Sequence, residues 1–162
     1  PDCAPPPRRH AMKFFEDIAI GDRRELGHYT FGAEDIKQFA ARYDPQPFHT
    51  DEAVAARSHF GGLVASGWHT ASIFMKLQAR EIAARGAEPE RTGISPGFRE
   101  LRWPKPVFAG DTLTYTTEVI RKRELASRPE WGIVFSHITA VNQRGELVLE
   151  FEGCVFIGRR GT

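Results

Sequence analysis

The feature that most constrains the fold is one long helical segment whose first half carries no charge. The pattern predicts a single helix over 66–84, with Ser66 suited to cap its N-terminus and Gly86 suited to end it. From Ser66 to Met75 there is no Asp, Glu, Lys or Arg, and charged residues begin only at Lys76. A helix that lies on a protein surface keeps a charged face. We therefore expect other parts of the chain to surround the N-terminal half of this helix.

Four long segments downstream are suited to form that surrounding layer. They are rich in β-branched and aromatic residues, are separated by turn sequences, and cover 94–103, 112–124, 131–143 and 146–158. Upstream, the sequence predicts a weaker strand over 24–31, an amphipathic helix over 33–43 and a short helix over 51–57 capped by Thr50. The expected fold is α+β, with one curled antiparallel sheet around the long helix.

Length and composition indicate one globular domain. The chain has 162 residues and a net charge of +1, and no basic run indicates nucleic acid as a partner. We expect a disordered leader over 1–11, which contains three consecutive prolines, and a single domain over 12–162. No apolar run approaches about 20 residues, so no membrane span is expected. The only cysteines, Cys3 and Cys154, favour a reducing cytoplasm over a disulfide framework.

The stretch DPQPFHTD (44–51) carries the residues most suited to chemistry. Its two prolines stiffen the backbone, and Asp44 and His49 stand at a fixed separation along it. A carboxylate and an imidazole around one water can perform proton transfer, particularly where burial moves their pKa values toward neutrality. The sequence does not assign the base and the acid, and the two groups can titrate as a unit.

The order of these motifs resembles the MaoC-like dehydratases, also called R-specific enoyl-CoA hydratases, of the hot-dog superfamily. The resemblance extends from Phe14 to Ile157 and includes the proline turn, GGLVASGWHT (61–70) and the corner from Arg102 to Leu113. It implies a hot-dog fold, in which an antiparallel sheet wraps one long helix. It also implies a hydro-lyase that reversibly hydrates a 2-enoyl thioester to a 3-hydroxyacyl thioester.

The resemblance assigns three catalytic positions. Asp44 matches the family's acid, His49 its histidine, and Gly67 the glycine whose amide binds the thioester oxygen. Backbone N–H groups at a helix start are unsatisfied and lie at the positive end of the helix dipole, so they suit an oxyanion. A packing role for Gly67 stays open. A metal site formed by His49, His59 and His69 is not expected, because no Cys or carboxylate completes a known ligand spacing.

The sequence departs from the family pattern beside the proline turn. Arg42 and Tyr43 stand where the family often has a small residue and a glycine, and Gln46 stands where it often has asparagine. We expect these residues to border the pocket and to favour a charged or substituted acyl group, with Arg42 as its partner. Further candidate substrate contacts are Ser66, Trp68, Arg99 and Lys105, the two cations being suited to the phosphates of the thioester carrier.

The expected partners are the thioester substrate and a second copy of the chain. The carrier is coenzyme A or acyl-carrier protein, and no other cofactor is expected. Unpaired sheet edges and the uncharged helix start predict a homodimer or a higher even homo-oligomer. Two alternatives stay open, namely a hot-dog acyl-CoA thioesterase and a non-catalytic subunit that binds acyl thioesters. The sequence leaves the acyl group, the carrier and the direction of the reaction undecided.

Overall fold

One antiparallel sheet of five strands forms the framework of the chain. The computed structural model describes residues 14–86 and 92–161, so the expected leader over 1–11, Met12 and Cys3 lie outside the described residues. The strands are β1 (Arg23–Thr30), β2 (Gly97–Arg102), β3 (Thr112–Glu124), β4 (Trp131–Asn142) and β5 (Leu147–Gly158). They are ordered β1-β3-β4-β5-β2 in the sheet, and each neighbouring pair is antiparallel. The predicted strands are confirmed, although β2 is shorter than the predicted 94–103.

Four helices precede the last four strands. They are α1 (Ala33–Tyr43), α2 (Pro47–Thr50), α3 (Glu52–Arg57) and α4 (Gly67–Ala84). The predicted helix over 33–43 is confirmed, and so are both ends of α4. The Ser66 side chain accepts a hydrogen bond from the Trp68 N–H, and Gly86 adopts the left-handed conformation with φ of 65°.

Two predictions around α2 and α3 are wrong. The cap of α3 is Asp51 rather than Thr50, since the Asp51 carboxylate accepts the Val54 N–H at 2.9 Å. The helical turn α2 was not predicted, because the prolines indicated a non-helical turn. Pro47 occupies the first position of α2, where a missing N–H costs nothing and a fixed φ favours helix formation.

The sheet curls around α4, which confirms the hot-dog arrangement. On α4, Ile73, Phe74 and Leu77 are buried in a cluster with side chains of the strands, among them Tyr115 and Leu149. The opposite face of α4 is open in the single chain, where Trp68 is 53% exposed and Met75 is 58% exposed. The prediction that the chain itself surrounds the first half of the helix is therefore right for one face and wrong for the other.

A second, smaller cluster of buried residues covers another part of the sheet. In it, Phe15 and Ile18 pack against Val119 and Val134, and Val134 lies on the same face of β4 as Ile138 and Ala140 of the first cluster. None of the helices among residues 14–86 and 92–161 is both long and apolar enough to cross a membrane. Cys154 lies in β5 as a free thiol.

Candidate active site

The turn between α1 and α2 brings Asp44 and His49 face to face. Asp44 ends α1, where its N–H donates to the Ala40 carbonyl at 2.9 Å. The backbone then folds back tightly, because the Gln46 N–H donates to the Asp44 carbonyl at 2.7 Å and the His49 N–H donates to the Gln46 carbonyl at 2.9 Å. As a result, His49 Nε2 lies 3.4 Å from Asp44 Oδ2.

The orientation of the His49 ring is fixed by a backbone carbonyl. His49 is buried, and its Nδ1 lies 2.7 Å from the carbonyl oxygen of Val64. A carbonyl only accepts hydrogen bonds, so Nδ1 carries the proton in this contact. In the neutral ring Nε2 then presents a lone pair toward Asp44, and in the charged ring it presents a second N–H.

Two side-chain donors hold the Asp44 carboxylate. The Ser66 hydroxyl donates to Oδ2 at 2.6 Å, and the Gln46 amide donates to Oδ1 at 2.8 Å. Burial favours the neutral acid, but these two hydrogen bonds and the charge of His49 outweigh burial and lower the pKa of Asp44 from its ordinary value. Burial therefore does not move the pKa of this group toward neutrality, and Asp44 is a carboxylate at neutral pH.

One N–H group at the start of α4 is left without a partner. The Trp68 N–H is capped by the Ser66 hydroxyl, and the N–H groups of His69 and Thr70 donate to the Ser66 carbonyl. The Gly67 N–H takes part in none of the hydrogen bonds found among residues 14–86 and 92–161. It lies at the positive end of the helix dipole, in a residue that lines the same cavity as Asp44 and His49.

A cavity of about 350 Å³ joins these groups. Of the predicted site residues, those that line it are Asp44, Gln46, His49, Ser66, Gly67, Trp68 and Lys105. Its apolar wall includes Phe48, Phe60, Val64, Val107 and Val148, together with Trp103 and two prolines. Several of these residues belong to the three motifs, but the sequence does not show which of their side chains face the cavity, and only the fold does.

Three predicted substrate contacts lie outside this lining. Arg42 and Tyr43 occupy the exposed end of α1, where the Tyr43 ring packs against Phe39 with ring centroids 5.0 Å apart. Arg99 is exposed on the edge strand β2. Lys105 does line the cavity, but its ammonium group pairs with Glu146 at 2.6 Å.

The other histidines near the helix start serve packing. His59 lies against Phe60, with ring centroids 3.9 Å apart. His69 is buried and stacks on Phe39, and burial lowers its pKa to about 4, so the ring is neutral. Within the part of the chain that the structure describes, no group of three or more His, Cys, Asp or Glu side chains is placed to bind a metal ion.

Comparisons with known proteins show which proteins this chain is similar to. A family model described as "MaoC like domain" matches residues 16–142. The crystal structure of the MaoC-like dehydratase from Rhodospirillum rubrum is similar with a TM-score of 0.80 at 41% identity, covering 92% of this chain and 99% of that one. The (R)-specific enoyl-CoA hydratase of Aeromonas caviae is 32% identical over 110 residues, which is 67% of this chain and 76% of the relative. The uncharacterized protein YdeM of Bacillus subtilis is 31% identical over 144 residues, covering 89% of this chain and 98% of that protein.

Proposed function

This chain belongs to the MaoC-like domain family, and from that premise we propose that it is a hydro-lyase that adds water across the double bond of a 2-enoyl thioester, or removes it in reverse. The family includes enoyl-CoA hydratases and dehydratases. The observation that carries the proposal is the gap of 3.4 Å between Asp44 Oδ2 and His49 Nε2, in a cavity that also contains the free Gly67 N–H. An acid–base pair and an oxyanion donor are the two devices that this reaction requires.

The acid–base pair is suited to hold and split one water. A water that bridges Oδ2 and Nε2 lies within reach of both groups, and its oxygen attacks Cβ of the enoyl group as one proton passes to the pair. The electrons of the double bond move toward the thioester oxygen, which gives an enolate. The pair then returns the proton to Cα, the carbonyl re-forms, and H and OH have been added to the same face.

The Gly67 N–H is suited to hold the enolate oxygen. Negative charge grows on that oxygen only as water attacks, so a donor that is already in place lowers the barrier more than it strengthens substrate binding. Removal of one such donor from an enzyme typically costs about 10²–10³ in kcat.

The shape and chemistry of the cavity favour an apolar acyl group on coenzyme A. The wall of Phe48, Phe60, Val64, Val107 and Val148 contains no cation to pair with a charged acyl terminus, and Arg42 lies elsewhere. The proposed substrate therefore differs from the charged or substituted acyl group that the sequence predicts. Lys105 remains the candidate for a carrier phosphate, which would have to compete with Glu146. The similarity to the (R)-specific enoyl-CoA hydratase of Aeromonas caviae supports an (R)-3-hydroxyacyl-CoA product.

We also infer that the working unit is a homodimer. The open face of α4 with Trp68 and Met75, and the edge strand β2 with Phe98 56% exposed, present large apolar side chains to solvent in the single chain. Sheet edges and apolar faces of this size are normally covered. A two-fold partner would cover both and would border the cavity, because Trp68 lies at its rim.

The function is tested with trans-2-enoyl-CoA thioesters of increasing chain length. We expect the absorbance of the conjugated thioester to fall without release of free thiol. Thiol release at the same rate would identify a thioesterase instead. Binding without turnover at every chain length would identify a non-catalytic subunit.

A further inference from the structure

We propose that Trp103 is a positioning residue for the oxyanion donor, and that its indole holds the first turn of α4 so that the Gly67 N–H stays aimed at the thioester oxygen. The inference deepens the proposed function and rests on it for its kinetic consequences. Trp103 belongs to the loop that follows β2, and it lines the cavity beside Gly67. Neither the proline turn nor the helix start indicates this role in the sequence.

The contact between the two residues is unusually close. The Trp103 Nε1–H donates to the Gly67 carbonyl at 3.0 Å. A Cβ atom added to Gly67 would lie 2.5 Å from Cε2, 2.8 Å from Cδ2 and 2.9 Å from Nε1 of Trp103. Distances below 3.0 Å are essentially never observed for a real Cβ atom. The indole therefore occupies the space that any side chain at position 67 would need.

A glycine at the start of a helix needs such a constraint. Without a Cβ, its backbone torsions are less restricted than those of any other residue. The Gly67 N–H shares a planar peptide unit with the Ser66 carbonyl, which accepts hydrogen bonds from the His69 and Thr70 N–H groups. Two side-chain donors, Trp103 Nε1 and the Thr70 hydroxyl at 2.7 Å, hold the Gly67 carbonyl in the next peptide unit. With both units held and the ring packed beside Cα, the torsions of Gly67 between them have little freedom.

Trp103 is itself held in place. Its ring meets Trp68 edge to face, with centroids 5.4 Å apart and an interplanar angle of 74°. Pro104 follows it and restricts its backbone to extended conformations. The loop is tied to the chain that enters α4, since Ala65 N–H donates to the Val107 carbonyl at 2.8 Å.

This geometry gives a specific reason for the glycine at position 67. By resemblance, Gly67 is the glycine whose amide binds the thioester oxygen, and a packing role for it stays open in the sequence. In the structure the group that touches its Cα is the Trp103 ring, so the indole excludes a side chain at position 67 before any substrate binds. The two explanations predict different results when both residues are changed together.

The first arm of the test measures kcat and KM of Trp103 variants on an enoyl-CoA. Trp103→Phe keeps an aromatic ring but loses the N–H donor, and we expect kcat to fall about tenfold. Trp103→Leu also loses the aromatic ring, and we expect a fall of about 10²-fold, as for a reacting group misplaced by about 1 Å. KM should stay within about threefold, since the affected contact forms in the transition state. Trp131→Phe, in β4 and outside the cavity lining, is the matched control and should leave kcat unchanged.

A rise in KM with unchanged kcat would show that Trp103 only binds substrate, and would overturn the proposal.

The second arm is a double-mutant cycle. Gly67→Ala alone should lower kcat by about 10²-fold or more. In the Trp103→Leu background the same change should cost less than about threefold, because the clash has gone. An equal cost of Gly67→Ala in both backgrounds would overturn the positioning role.

The third arm does not depend on activity. In an NMR spectrum the α-protons of Gly67 should show a large ring-current shift in the wild type, and Trp103→Leu should abolish it. Absence of that shift would overturn the proposed contact between Trp103 and Gly67, even if the protein hydrates enoyl-CoA. If the shift is present and the wild type hydrates no enoyl-CoA, the proposed function fails, and with it the kinetic role of Trp103.

Discussion

At the scale of single residues, the proposed reaction depends on the hydrogen bonds that orient Asp44 and His49. The outer partners of the pair are the Val64 carbonyl on His49 Nδ1 and the Ser66 and Gln46 donors on Asp44. These partners leave Oδ2 and Nε2 facing each other across 3.4 Å, which is longer than a good direct hydrogen bond. In the proposed mechanism, a single water contacts both atoms.

Removal of either member of the pair should abolish most of the activity. We expect Asp44→Asn and His49→Ala each to lower kcat by at least about 10²-fold, since general acid–base groups contribute on that scale. Steady-state kinetics on a short enoyl-CoA provide the measurement. Asp51→Asn is the control, because Asn also caps helices and Asp51 lies outside the cavity lining. Near-normal turnover in either variant would remove that residue from the mechanism.

The pH dependence of the reaction should respond to Gln46. Its amide donates to Asp44 Oδ1 and helps to lower the pKa of Asp44, so Gln46→Leu should raise that pKa. With a higher pKa the carboxylate protonates earlier as pH falls. The acidic limb of the kcat/KM profile should therefore move to higher pH in the variant. The charged and titratable groups to consider are His49, which faces Asp44, and Lys105 with its partner Glu146 at the rim. An unchanged acidic limb would mean that Asp44 does not control it.

At the scale of elements, a turn remote from the catalytic pair holds the cavity wall. The buried carboxylate of Asp111 accepts hydrogen bonds from the Phe108 N–H at 2.9 Å, from Gln143 at 2.7 Å and from Arg144 at 3.0 Å. Gln143 and Arg144 lie in the turn between β4 and β5, whereas Phe108 lies in the loop that runs from Trp103 to Asp111. Asp111 thus fastens the loop that carries Trp103 and Lys105 to the sheet.

Loss of this carboxylate should destabilise the fold in a pH-dependent way. Asp111→Ala removes the acceptor of the partly buried Phe108 N–H and the ion pair with Arg144, and we expect it to lower the free energy of unfolding by about 2–3 kcal/mol at neutral pH. Burial favours the neutral acid, but the hydrogen bonds and Arg144 outweigh it and lower the pKa of Asp111 in the folded state. Its contribution is therefore present above the unfolded-state pKa, about 3.9 for Asp, and is lost as pH falls through the lower folded-state pKa.

Urea titrations of both proteins across the pH range give the measurement. The difference between wild type and Asp111→Ala should be largest at neutral pH and should shrink below about pH 4. A difference that is constant across this range would show that the carboxylate charge contributes nothing.

Local patterns in the sequence predict the elements better than they predict their mutual contacts. The 3.6-residue period fixes α1, and the cap at Ser66 fixes the start of α4, because both depend on neighbouring residues only. The sequence does not predict the helical turn α2, because its two prolines indicate a non-helical backbone. The contact of Trp103 with Gly67 joins residues 36 positions apart, and only the path of the loop after β2 brings them together.

At the scale of the whole molecule, the proposed homodimer would cover the open face of α4 with a second copy of the chain. The lack of charge along the first half of α4 predicts burial, which the single chain provides for one face only, and the sequence cannot distinguish cover by the same chain from cover by a partner. Met75 on this face and Phe98 on β2 are the most direct reporters, because neither lines the cavity.

A charge on this face should prevent assembly. We expect the wild type to sediment at about twice the monomer mass of 18.2 kDa, and Met75→Glu or Phe98→Glu to shift it toward the monomer. Ile120→Glu, which changes an exposed apolar residue of β3, is the matched control and should stay dimeric. A wild-type protein that is monomeric at micromolar concentration and fully active would contradict the proposal that the working unit is a homodimer.

In the proposed reaction, one acid–base pair adds one water to one face of the double bond. The stereochemistry of hydration in D₂O tests this addition directly. An enoyl-CoA substrate is converted by the wild-type protein, and the configurations at Cα and Cβ of the product are determined. In the proposed mechanism Asp44 and His49 share one water on one side of the cavity, so we expect a single product in which deuterium at Cα and hydroxyl at Cβ have added syn. From the similarity to the Aeromonas caviae enzyme, we also expect R configuration at C3. Anti addition, or a mixture of configurations at Cα, would contradict the account.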